Sequence, residues 1–150
     1  FVLRRHDLGE ADRIVTLYTR EQGKRRAVVK GVRKPQSRLA GHIELFSLVD
    51  TYLVVGANLD VLTQATALTT YPQLAADLER VAQASWAAET LDRLTPEAEA
   101  DSYLFDIFEI ALDRIATARR PLGRVHMPLI SSGTWSSLGF QCLERDHVDA

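Results

Sequence analysis

Apolar and polar positions follow two different periods along this 150-residue chain, and the change falls near Thr70. Before it, short runs of β-branched and aromatic side chains alternate with turn residues, which predicts strands. FVLRRH (1–6) and DRIVTLYT (12–19) open the series, although Ile14, Leu17 and Tyr18 flank Val15 and Thr16 so that the second alternates imperfectly. REQG follows, and its Gly23 suits the positive φ of a hairpin turn. KRRAVVKGV (24–32) is the third run, with Val28 and Val29 as its buried part and its basic side chains set along one edge of a small sheet. The polar stretch RKPQSRLAG (33–41) belongs to a mobile loop spanning Gly31 to Gly41. It is followed by ELFSLVDTYLVVG (44–56) and NLDVLTQATAL (58–68), joined by a tight turn at Gly56, Ala57 and Asn58. Five short strands with tight turns suit a compact barrel or sandwich better than a parallel sheet.

Beyond Thr70 the period becomes 3.6. Pro72 suits a first helical turn, and Leu74, Leu78, Val81, Ala88 and Leu91 fall on one face of a helix running to Leu94. Thr95, Pro96 and Glu97 resemble a cap with proline at the first helical position, which breaks the helix. A second helix fits residues 102–118, capped by Asp101 or Ser102 and buried through Leu104, Phe108, Ala111, Leu112 and Ile115. Arg119, Arg120 and Pro121 suit its C-terminal end. From Leu122 on, serines, glycines and a proline interrupt every candidate period, which reads as loop with one short helix.

Composition adds that the chain is globular, 46% apolar and 25% charged, with apolar runs too short for the ~20 residues of a membrane span. A single cysteine excludes a disulfide framework within one chain, and no secretory signal is recognisable, so the expectation is a soluble, intracellular protein. Phe1 stands where methionine would begin a chain, inside a strand already under way, which implies residues upstream.

Charge changes the picture most. Residues 1–45 hold 11 basic and 5 acidic side chains, whereas residues 46–150 hold 7 basic and 15 acidic, so a net charge of −2 hides a +6 segment and a −8 segment. Gly23 to Gly41 carries Lys24, Arg25, Arg26, Lys30, Arg33, Lys34 and Arg38 without one acid. Lacking local acids, this strip is expected to project a net field instead of forming local ion pairs, and it falls on the hairpin and loop of a barrel of the kind that carries single strands. Its cations would contact phosphates, and neutralising ~5 of them gives a log–log salt slope of about −3.5 on single strands. Phe46, Tyr52 and Tyr18 are candidates for base stacking or core.

Other chemistry is poorly supported. No phosphate-cradling or dinucleotide glycine motif is present, and Ser131 and Ser132 before Gly133 read as loop residues without a nucleophile elbow. Cys142 and His147 do not complete a zinc set, His6 and His42 read as surface histidines near the strip, and Glu144, Asp146 and Asp149 as a solvated acidic tail. No cofactor, metal or catalytic residue is assigned. A small hydrolase using Cys142 or Ser132 is the reading set aside, and an RNA-binding OB module is the main alternative, since phosphates are common to both nucleic acids.

The stretch from Phe1 to about Ile115 resembles the RecO family of bacterial DNA repair proteins. The likeness rests on LGEADRIVTLYT, on GKRRAVVKGVR (23–33), on SRLAG followed by Phe46, and on LDVLTQATAL with the helix after Pro72. It implies a five-stranded N-terminal OB-fold barrel over residues 1–70 followed by an α-helical domain over 71–150, incomplete here. The function implied is non-enzymatic: binding single- and double-stranded DNA, annealing strands, and mediating recombination in the RecF pathway. Implied partners are RecR, single-stranded-DNA-binding protein, RecF and RecA, in a cytoplasmic, nucleoid-associated setting with no membrane contact. The seven cations of the strip are the DNA-binding positions the resemblance carries over, with Arg4, Arg5, Arg13 and Arg20 as weaker ones. The family's longer helical region and four-cysteine zinc site are not matched, because Cys142 of LGFQC is alone.

Overall fold

The computed structural model describes residues 1–118. Five strands come first: β1 (Val2–Leu8), β2 (Asp12–Thr19), β3 (Gly23–Val29), β4 (Leu48–Val54) and β5 (Asp60–Thr69). They form one sheet of order β1-β2-β3-β5-β4. Every neighbouring pair is antiparallel except β3 and β5, which run parallel over Ala27–Asp60 and Val28–Val61. A parallel pair needs a crossover, here the 30–47 connection and β4. This is the OB-fold arrangement, so the expected β-then-α architecture holds.

The sheet curls until its edges meet at one end. Phe46 N–H donates to Val2 O at 2.8 Å, and Val2 N–H donates to Ser47 O at 3.1 Å. Phe46 makes that junction with φ of 67°, a left-handed conformation that costs a bulky residue ~1–3 kcal/mol and is compensated by burying its ring. Past Ser47, no backbone hydrogen bond among the described residues joins β4 to β1.

The interior is filled by alternate residues, among them Val2, Val15, Leu17, Ala27, Val29 and Leu62, with Val32 and Ile43 from the connection. Ala27 and Val29 are the fully buried pair of β3, while Val28 is half-buried because it points outward. The imperfect alternation of β2 has a physical cause. Val15 and Leu17 face the interior, whereas Tyr18 faces out into a second core built with the helices. That core joins Phe1, Leu3, Tyr18 and Phe46 to Leu74, Leu91, Phe105, Phe108 and Leu112, with Phe1 edge-on to Phe108 at 5.2 Å.

Three helices follow: α1 (Pro72–Ala75), α2 (Leu78–Leu94) and α3 (Ser102–Thr117). Pro72 takes the first helical position as expected, but the expected continuous helix is broken. The Asp77 carboxylate accepts from Glu79 N at 2.9 Å and Arg80 N at 3.4 Å, starting a new helix. Leu78 is thereby placed outside the core, 85% exposed, instead of beside Leu74. Thr95 closes α2 by donating its hydroxyl to Leu91 O at 2.7 Å, and no helix starts at Pro96. Residues 96–100 instead run beside the free half of β3, where Ala98 N–H donates to Lys24 O at 2.9 Å. Asp101 is the cap of α3, accepting from Tyr103 N and Leu104 N, and Phe105 and Ala116 join the expected buried stripe. Arg80 ties the two long helices together. Its guanidinium donates to Ile115 O, to Ala116 O at 2.9 Å and to Ala118 O at 2.6 Å, the carbonyls that α3 leaves without partners.

Candidate nucleic-acid interface

The basic strip lies on β3 and the connection after it, and the two parts are built differently. β3 is not an edge: β2 lies on one side and β5 with residues 97–98 on the other, so its cations do not line a sheet edge. Its pleat sends them in opposite directions. Arg25, level with Leu17, turns toward the interior, while Lys24 and Arg26, level with Tyr18 and Thr16, turn outward.

Arg25 meets Asp60, the one buried acid among the described residues at 4% exposure. Its Nε and Nη2 both reach Asp60 Oδ2, at 2.7 and 2.5 Å, and Gly56 N–H donates to the other oxygen at 3.3 Å. The pair therefore fastens the β4–β5 turn to β3. Lys24 meets helix α2: Nζ donates to Asp92 O at 2.6 Å and sits 3.2 Å from Asp92 Oδ1. Arg4 shares that carboxylate at 3.2 Å and reaches Glu89 at 3.6 Å. Arg26 is exposed and makes no ion pair among the described residues.

The connection is tied down, contrary to the expected mobile loop. Gly31 (φ 64°) donates its N–H to Asp12 Oδ1 at 2.7 Å, and Val32 is buried beneath it. Two turns follow, Lys34 N to Gly31 O and Ser37 N to Lys34 O. Arg33 clasps the β1–β2 hairpin with its N–H on Ala11 O at 2.9 Å, Nη1 on Gly9 O at 3.0 Å and Nε 3.5 Å from Asp7. Arg13 donates to the same Asp7 at 2.9 Å. That hydrogen bond, with Arg33 close by, holds the Asp7 carboxyl below its usual range against the opposing cost of desolvation. Lys30, Lys34 and Arg38 stand on this framework exposed and, among the described residues, unpaired.

The seven positions thus divide. Arg26, Lys30, Lys34 and Arg38 project into solvent, whereas Lys24, Arg25 and Arg33 are held by Asp92, Asp60 and Asp7. The expected net field is reduced, because Lys24, Arg25 and Arg33 meet acids outside the strip, up to 68 residues away. The weaker candidates are all paired: Arg4 as above, Arg5 with Glu44 at 2.9 Å, Arg13 with Asp7, and Arg20 with Asp106 at 2.5 Å. Arg20 also lies 4.5 Å over the Phe105 ring.

Of the stacking candidates, Phe46 and Tyr18 are core, and Tyr52 alone of the three is exposed, at 63%. His42 is structural, its Nδ1 accepting from Ala67 N at 3.2 Å, while His6 is exposed. No group of three or more metal-ligating side chains occurs among the described residues. Nor is any of their helices long and apolar enough to cross a membrane. Arg119, Arg120, Ser131, Ser132, Cys142, Glu144, Asp146, His147 and Asp149 lie outside the described residues.

Two family models match the chain: "Recombination protein O N terminal" over residues 1–71 and "Recombination protein O C terminal" over residues 75–128. Similar curated proteins carry the name DNA repair protein RecO. The one from Roseiflexus sp. strain RS-1 is 46% identical over 106 residues, 71% of this chain and 37% of the relative. That from Nocardioides sp. strain JS614 is 49% identical over 102 residues, 67% of this chain and 42% of the relative. That from Gloeobacter violaceus is 42% identical over 114 residues, 76% and 44% of the two chains. The match therefore spans less than half the length of these relatives.

Proposed function

The chain belongs to the RecO family, and from that premise we propose that it acts in DNA repair by binding DNA through its barrel without covalent chemistry. The observation that carries the reading is the set of exposed cations Arg26, Lys30, Lys34 and Arg38, unpaired among the described residues and held on a tied framework. Hydrogen bonds hold the backbone beneath these cations, so little backbone ordering is spent on contact, and phosphate neutralisation releases counterions. In this reading residues 1–70 are the nucleic-acid-binding unit and the helical residues from 71 on are a second unit. Lys24, Arg25 and Arg33 shape the surface more than they touch phosphate.

Cations that screen two backbones leave base edges free, so the same surface supports annealing of complementary strands without a nucleotide. The wider role, helping to load RecA onto strands coated by single-stranded-DNA-binding protein together with RecR and RecF, in the cytoplasm at the nucleoid, is part of the proposal and rests on family membership.

Fluorescence anisotropy with a single-stranded oligonucleotide, from low to moderate salt, tests the binding step. With four phosphates neutralised the log–log slope is about −3. Changing Arg26, Lys34 and Arg38 to alanine flattens it by ~2 and leaves Tm unchanged. Equal, salt-insensitive binding by both proteins refutes the proposal, and preference for RNA of the same sequence redirects it to the RNA-binding alternative.

A further inference from the structure

The β2–β3 ladder ends at the pair Arg13–Val29, and one further step would set Asp12 opposite Lys30. The chain instead turns at Gly31, whose φ of 64° carries the backbone out of the strand. Where the backbone ladder stops, the Asp12 side chain takes over. Its Oδ1 accepts from Gly31 N–H at 2.7 Å, and no backbone carbonyl among the described residues takes that N–H. Asp12 is itself fixed, because it opens β2 and pairs with Leu8 as the last rung of the β1–β2 hairpin. A carboxylate on a held strand thus decides where the connection begins.

Two of the exposed cations depend on that point. Lys30 immediately precedes Gly31. Lys34 closes the next turn with its N–H on Gly31 O at 3.1 Å. Its stem lies over the glycine, since a Cβ added at Gly31 would meet Lys34 Cδ at 3.7 Å and Cε at 3.9 Å. Asp12 forms no ion pair among the described residues, whereas Asp7 in the same hairpin neutralises Arg13 and Arg33. The two acids therefore act by different physics, Asp12 through a backbone donor and Asp7 through charge.

We propose that Asp12 is a positioning residue for the phosphate-binding surface, fixing through Gly31 the backbone from which Lys30 and Lys34 project. The inference rests on the DNA-binding reading of these cations. The sign of the effect separates positioning from electrostatics. A carboxylate beside a polyanion site lowers the local potential, so by charge alone its removal tightens binding. By positioning, its removal loosens the Gly31 turn, the lysines must be ordered at the moment of contact, and binding weakens. Asparagine keeps an acceptor oxygen for Gly31 N–H while dropping the charge, so it isolates the hydrogen bond.

Anisotropy with a single-stranded oligothymidylate at fixed low salt compares Asp12→Ala and Asp12→Asn with the unaltered 150-residue chain. Asp12→Ala is expected to bind about three- to tenfold more weakly, the cost of ordering freed side chains. Asp12→Asn is expected to bind at least as tightly as the unaltered chain. Amide hydrogen exchange, read without DNA, is expected to quicken about tenfold at Gly31 in Asp12→Ala. Exchange within β2 and β3, and at Gly31 in Asp12→Asn, is expected to stay at the unaltered rates. Equal effects of the two variants on binding, unchanged exchange at Gly31 in Asp12→Ala, or faster exchange throughout β2 and β3 each overturns the proposal. Failure of the DNA reading is observed separately. The unaltered chain then shows no salt-dependent binding, while exchange at Gly31 still decides whether Asp12 fixes the turn.

Discussion

At the residue scale, identical side chains a step apart in the strip do different jobs. Lys24 and Arg25 are held by acids, while Arg26 is not. Arg25→Ala is expected to cost about 3 kcal/mol, because it strands the buried Asp60 carboxylate and loosens the β4–β5 turn. Arg26→Ala is expected to leave stability within ~0.5 kcal/mol and to weaken DNA binding. Thermal melts beside anisotropy separate the two. Asp7→Asn is expected to act in the opposite sense. It releases Arg13 and Arg33 and steepens the single-strand salt slope by up to ~1.4 at neutral pH. With Asp7 held below its usual range, its contribution is present above that range and is lost only as pH falls through the depressed value. An NMR titration of its carboxyl should show the low midpoint, which Arg13→Ala should raise. Glycines give a sharper contrast. A Cβ at Gly23, already at φ 65°, would come 1.9 Å from Glu99 O, so Gly23→Ala should cost ~2–4 kcal/mol, whereas Gly41→Ala meets nothing within 4 Å and should be near neutral.

At the element scale, the strands and both long helices were legible from periodicity because each buries a regular face. β2 runs Asp12–Thr19 and α3 Ser102–Thr117, close to the expected bounds. The misreadings share a cause. Leu78 fits the helical period of Leu74, but the Asp77 cap restarts the helix and rotates it outward. Pro96 looks like a helix start, yet its neighbours are recruited as an extended partner for β3. In both, a local hydrogen-bond option or a tertiary neighbour outweighed periodicity. Arg80 extends the point: a helical arginine in the sequence, it closes the C-terminus of a different helix. Arg80→Met should cost about 2 kcal/mol and speed amide exchange in the last turn of α3 more than within α2.

At the scale of the whole molecule, charge is sorted by place as well as by sequence. The barrel's exposed cations gather toward one end, and the acids of α2 and α3 cover Arg4, Lys24 and Arg20 toward the other. In the proposed reading, such polarity would orient an approaching polyanion. Short-range chemistry already dictates much of this: strand alternation, the turn at Gly23, the cap at Asp101, the family motif and a basic first third. Those features depend on neighbours within a few residues, so a linear reading reaches them. Which cations stay free depends on separations in space. Asp60 lies 35 residues from Arg25 and Asp92 lies 68 from Lys24, yet each is within 3.2 Å. Coulomb and hydrogen-bond energies follow that distance and not the count of residues between. Only folding could divide the strip into a scaffold and a surface.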